Sequence, residues 1–188
     1  MLFEAVPIVK EPAVESQAFS LQAQERLSME GGRKVLEAVI PGLETKQVIH
    51  FVTRGHWSNH QLIGYLLDRI GPAHLILSTW SMTEDPCRAL LNLKIKGQLL
   101  SAACILSERI SERTPEVFQL AQNVFSPLKL AKLHAKVTLL FNEQWQIVVV
   151  GSANLTRNPK TEVGIIDSHP SSFQFHYKWM QDELAKAK

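Results

Sequence analysis

From Gln47 onward the sequence alternates short apolar runs of strand length with longer amphipathic stretches of helical period. That alternation belongs to α/β domains, in which helices cover a sheet too apolar to face water. Val48 to Thr53 reads as a strand. Ser58 is placed to cap a helix running to Ile70, where Leu62, Ile63, Leu66, Leu67 and Ile70 recur at helical spacing and Gly71-Pro72 stops it. His74 to Thr79, Glu84 to Lys96 (closed by Gly97) and Leu99 to Leu106 form a strand, helix, strand crossover. Thr114, Pro115 and Glu116 open a further helix through Ala121, and Ser126-Pro127 marks a loop. The last third holds three strand-like runs, Ala135 to Phe141, Gln146 to Val150 and Glu162 to Ile166, then a helix from about Ser171 to Ala187. The expectation is a mixed β-sheet flanked by helices over residues 47–188.

The first 46 residues differ in texture. Prolines interrupt the first 16, and Leu21, Leu27, Val35, Leu36 and Val39 fall on either side of a Gly31-Gly32 break. This predicts an arm with short helices over residues 1–46. A length of 188 residues allows one well-packed domain plus such an arm. A formal charge of +2 permits a nucleic-acid partner without requiring one. Cys87 and Cys104 have neither C-x-x-C nor zinc spacing, which suits a reduced, cytoplasmic setting. Glu4 and Pro7 break what would be an export signal, and no run of 18 residues is free of charge, so no membrane is expected.

The densest polar chemistry lies in LHAKVTLLFNEQWQIVVVGSANLTRNPKTEVGII. His134 and Lys136 stand two apart at the start of a strand, which projects both side chains from one face. A hairpin turning near Asn142 to Gln144 would bring Gly151-Ser152-Ala153-Asn154 beside them. Phosphodiester chemistry needs a nucleophile, a cation for the phosphoryl oxygens and fixed neutral donors. His134, Lys136, and Ser152 with Asn154 supply that set, and Gly151 would admit close approach of the backbone to a phosphate. Protonating the leaving oxygen calls for a second histidine.

The pattern H-x-K followed by G-S-x-N resembles the phospholipase D superfamily, and a single copy in a short chain resembles its nuclease branch, mainly over residues 130–166. The resemblance implies an α/β/α sandwich, no metal or other cofactor, a phosphohistidine intermediate, and a site built across a homodimer from one motif per chain. It implies that His134 is nucleophile in one subunit and acid in the other. Lys136 and Asn154 would bind phosphate, and Ser152 would orient within that shell. Glu162 matches an acidic residue that hydrogen-bonds the histidine and fixes its tautomer. The family pattern also places an aspartate beyond the lysine, where this chain has Phe141 followed by Asn142 and Glu143. The gap from Lys136 to Gly151 is about three residues longer than usual, consistent with a longer hairpin and a displaced turn residue.

The expected activity is metal-independent cleavage of DNA, more readily than RNA. Phospholipid hydrolysis or transfer, and nucleic-acid binding without turnover, are the alternatives. Arg157 and Lys160, just after the motif, are the best phosphate-track candidates, ahead of Arg109, Arg113, Lys129 and Lys132. Trp80 and Ser81, at the carboxyl end of a central strand, are the favoured substrate contacts, whereas His56, Trp57 and His60 are more often core. His176-Tyr177-Lys178 repeats H-x-K but sits in a helical pattern, where residues two apart diverge.

Overall fold

The computed structural model, which describes residues 29–157 and 159–186, arranges seven strands in one mixed sheet between helical layers. In chain order the elements are α1 (Met29–Val39), β1 (Val48–Arg54), α2 (Asn59–Ile70), β2 (Ala73–Thr79), α3 (Glu84–Ile95) and β3 (Leu99–Ser107). There follow the short α4 (Ile110–Arg113), α5 (Pro115–Val124), β4 (Leu128–Ala131), β5 (Val137–Phe141), β6 (Gln146–Gly151), β7 (Thr161–Asp167) and α6 (Pro170–Ala185). The sheet order is β1-β7-β6-β5-β2-β3-β4. Strands β2, β3 and β4 run parallel through helical crossovers, and β5, β6, β7 and β1 join antiparallel.

Both faces of the central strands are buried, which is why they read as unbroken apolar runs. Leu75 and Leu77 of β2, Leu106, Leu140, Val149 and Ile166 pack under Leu62 and Leu66 of α2, Leu90 of α3 and Val124 of α5. On the opposite face Ile76, Ile105, Leu139 and Val148 pack under Phe173 and Met180 of α6. Each such fully buried side chain contributes about 1.5–3 kcal/mol. The mixed α/β sheet expected from the sequence pattern is therefore present, with α6, among the described helices, covering one side.

Three local readings change. Helix α1 runs through Gly31 and Gly32 without a break. Gly32 lies against α2, where an added Cβ would meet the Gln61 amide at 2.9 Å, so the glycine admits close helix packing. Leu36 and Ile40 are buried there, and the Tyr65 hydroxyl donates to the Ile40 carbonyl. Helix α5 extends to Val124, past the expected end at Ala121. Elements α4 and β4 were not anticipated, because four residues each are too few to show a period.

The β5–β6 hairpin is pinned by Asn142. Its Nδ2 donates to the carbonyls of Ile70 (2.9 Å) and Pro72 (3.1 Å), and its Oδ1 accepts from the backbone of Gln144 (3.0 Å) and Trp145 (2.9 Å). Phe141 stacks on His74 at 5.2 Å and meets Phe173 and Tyr177 edge-on beneath α6. The position where the family pattern has an aspartate thus sits at the far end of β5 from His134, and the turn's polar duty falls to the next residue.

Candidate active site

The strand directions gather the motif at one sheet edge. Ser78 near the end of β2 pairs with Val137 at the start of β5, Val137 with Val150, and Gly151 with Gly164. The residues leading into β5, leaving β2 and β6, and entering β7 therefore converge. Two buried hydrogen bonds hold the junction: the Val137 backbone donates to Ser78 Oγ (3.1 Å) and the Leu155 backbone to Thr79 Oγ1 (3.1 Å).

His134 and Lys136 precede the strand proper, since β5 begins at Val137 and not at Ala135. They still converge. Lys136 Nζ lies 3.1 Å from His134 Nδ1, 3.3 Å from Nε2 and 2.8 Å from the His134 carbonyl oxygen, to which it donates. Burial pulls the Lys136 pKa down, and the Glu162 carboxylate opposes that. The exposed His134 ring also meets Trp80, centroid to centroid 5.6 Å with planes inclined 52°.

Glu162 is paired with Ser152. The Ser152 hydroxyl donates to the Glu162 carboxylate and accepts from the Val163 backbone (3.0 Å), while the Ser152 backbone donates to the Val163 carbonyl (2.9 Å). The Glu162 carboxylate thus meets the Ser152 hydroxyl, and the contacts described for His134 include Lys136 and Trp80. Gly151 differs too. The close approach it permits is to β7, where a Cβ would stand 2.9 Å from the Val163 carbonyl oxygen.

Residues 153–155 are laced to their surroundings. Asn59 Nδ2 donates to the Ala153 carbonyl (2.8 Å), and the Leu155 backbone donates to the Ser81 carbonyl (3.1 Å). Ser81 therefore enters through its backbone. Between these anchors Asn154 Oδ1 is buried without a hydrogen-bond partner among the described residues. Such an unsatisfied amide oxygen costs about 1–3 kcal/mol.

Arg157 and Lys160 are exposed, and Arg157 lies 3.8 Å from Asp85. Trp57 is buried against Phe51, and His60 is buried with Nδ1 2.8 Å from Ser58 Oγ, its pKa lowered to about 4 by burial. Both are structural. His176 lies within α6, as its pattern suggested. Burial raises Cys87 to about 11 and Cys104 further, so neither thiol is poised as a nucleophile. Sequence reasoning overlooked Asn59, Thr79 and Ser78, whose roles depend on contacts across the sheet, and ranked Arg113 low. The Arg113 guanidinium stands 5.9 Å from the Trp80 ring centroid.

The edge thus brings together an exposed imidazole, an adjacent ammonium, and hydroxyl and amide groups held by β6 and β7, residue types that displacement at a phosphorus centre can use. No protein-family profile matches the sequence, and no curated protein matches it. Solved structures do. A phospholipase D family member, Nuc from Salmonella typhimurium, superposes with a TM-score of 0.58 at 18% identity, over 76% of this chain and 96% of that one. The fold is that of the phospholipase D superfamily. NucT from Helicobacter pylori shares the phospholipase D-like fold at a TM-score of 0.57 and 18% identity, over 73% of this chain and 95% of its own. Polyphosphate kinase from Porphyromonas gingivalis contains a similar unit, with a TM-score of 0.52 at 12% identity, over 76% of this chain and 26% of its own. The described helices include none long and apolar enough to cross a membrane.

Proposed function

We propose that this chain is a metal-independent phosphodiesterase of the nuclease kind, cutting DNA through a covalent phosphohistidine at His134. The observation that carries the reading is the convergence of His134, Lys136, Ser152 and Asn154 at one sheet edge of a phospholipase D fold. A ring nitrogen of His134 attacks phosphorus, and the bond to the leaving oxygen breaks as that oxygen takes a proton from a second imidazole. Water then attacks the phosphohistidine, gives its proton to the second imidazole, and frees His134. Lys136 and Asn154 hold the non-bridging oxygens, and Ser152 and Glu162 keep that edge rigid. Arg157 and Lys160 contact flanking phosphates.

The second imidazole is supplied by another copy of the chain. The support for this is the single H-x-K and G-S-x-N pair in the chain; of the other histidines, His60 is buried on Ser58, His74 lies beside Phe141 at the opposite end of β2, His169 meets Asp167, and His176 bonds Trp179 within α6. A two-fold arrangement with the motif edges facing each other gives each site two histidines. The test is cleavage of DNA and of RNA of the same sequence, by the unaltered chain and by Lys136→Ala, with mass in solution measured in parallel. Cleavage by a dimer, lost in Lys136→Ala, supports the reading. Cleavage by a monomer at every dilution removes the shared site.

A further inference from the structure

Building on the nuclease reading above, we infer that Trp80 is the platform on which the nucleobase beside the scissile phosphate stacks, and that the substrate must present this base unpaired. Trp80 directly follows β2, is half-buried and belongs to neither core cluster, whereas Trp57 is buried within one. Its ring centroid is 5.6 Å from that of His134. In a nucleotide the base is one sugar away from its phosphate, so a phosphorus held at His134 brings a neighbouring base to the indole.

A duplex cannot make this contact without rearrangement, because each paired base already uses both π-faces in the stack, and extruding one costs free energy. Single strands offer the face directly. Arg113, exposed on α4 with its guanidinium 5.9 Å from the indole centroid, adds a cation beside the same platform. A guanidinium there can stack on the bound base or pair with an adjacent phosphate.

The experiment uses a His134→Ala chain and fluorescein-labelled oligonucleotides followed by anisotropy. The probes are a single strand, its duplex, and the single strand carrying one abasic site moved stepwise along it. Each is repeated with Trp80→Ala and Trp80→Phe added, and the His134-containing versions are assayed for cleavage. The single strand binds more tightly than the duplex, and one abasic position weakens binding by about 5- to 150-fold, the worth of one base–aromatic stack. That penalty disappears in Trp80→Ala and persists in Trp80→Phe.

An abasic penalty of equal size in Trp80→Ala overturns the inference, as does equal affinity for single strand and duplex. So does a Trp80→Ala chain that cleaves intact and abasic strands with the same proportional loss, which would make Trp80 a support for His134 alone. Failure of the nuclease reading looks different: the His134-containing chain then cuts no better than His134→Ala, and the binding arm decides the platform by itself. Absence of binding to any strand, together with no cutting by the His134-containing chain, overturns both.

Discussion

Replacing Gly151 with alanine tests the tightness of the β6–β7 edge on which Ser152 and Glu162 depend. The new Cβ would stand 2.9 Å from the Val163 carbonyl oxygen, about half an ångström inside ordinary contact, and the obstacle is backbone that cannot rotate away. That carbonyl accepts from the Ser152 backbone at 2.9 Å, and the Val163 backbone donates to Ser152 Oγ at 3.0 Å. Relieving the clash must lengthen these bonds and shift Ser152 on Glu162. Overpacking costs about 1–3 kcal/mol, and a weakened hydrogen bond adds about 1 kcal/mol. Reduced freedom of the unfolded chain returns about 0.4–1 kcal/mol. The expected net loss is about 1–3 kcal/mol, read from urea unfolding followed by circular dichroism. Gly64→Ala is the control. It lies inside α2 with open space where the Cβ would go, and should gain about 0.5–1 kcal/mol through helix propensity. A Gly151→Ala protein as stable as the unaltered one, with unchanged activity, would refute the argument.

Other perturbations have definite signs. Burial lowers the His60 pKa from 6.5 to about 4, so between those values the unfolded chain binds a proton that the folded chain does not. The stabilising contribution is complete above pH 6.5 and is lost as pH falls toward 4, about 3 kcal/mol in all; His60→Gln should flatten that part of the stability–pH curve. Asn142→Ala removes four hydrogen bonds from the hairpin turn and should cost about 2–4 kcal/mol in urea unfolding. Asn142→Asp keeps the two bonds to Oδ1 but sets a carboxylate oxygen against the Ile70 and Pro72 carbonyls, and should cost at least as much as the alanine. Phe141→Asp, which restores the family's aspartate, should not raise activity and should destabilise by about 2–4 kcal/mol, because the ring packs on His74, Phe173 and Tyr177. A more active Phe141→Asp enzyme would show that this position serves the site.

Much of this protein was legible where physics is local. Strands β2, β3, β5 and β6 announce themselves because burial on both faces makes them continuously apolar, and α2 shows through its apolar spacing between Ser58 and Gly71. The hairpin turn was placed near Asn142 to Gln144, and Asn142 holds it. What escaped the sequence depends on partners distant along the chain. Gly31-Gly32 looks like a break until Gln61 of α2 is seen against Gly32. The Ser152–Glu162 bond was not foreseen, because it follows from the β6–β7 register that places Ser152 beside Val163. Where the family pattern has its aspartate, Phe141 lies under α6 at the other end of β5 from His134, a packing role that depends on a helix beginning only at Pro170. Nothing local marked Arg113 as the neighbour of Trp80.

The central claim, that His134 is the nucleophile of a phosphodiesterase, is tested most directly by cleavage of single- and double-stranded DNA in EDTA with the unaltered chain and with His134→Ala. The account predicts cutting by the unaltered chain and a loss of at least about a thousandfold in the variant, as for removal of other catalytic nucleophiles. Equal cutting by the two proteins, or cutting that EDTA abolishes, would contradict it.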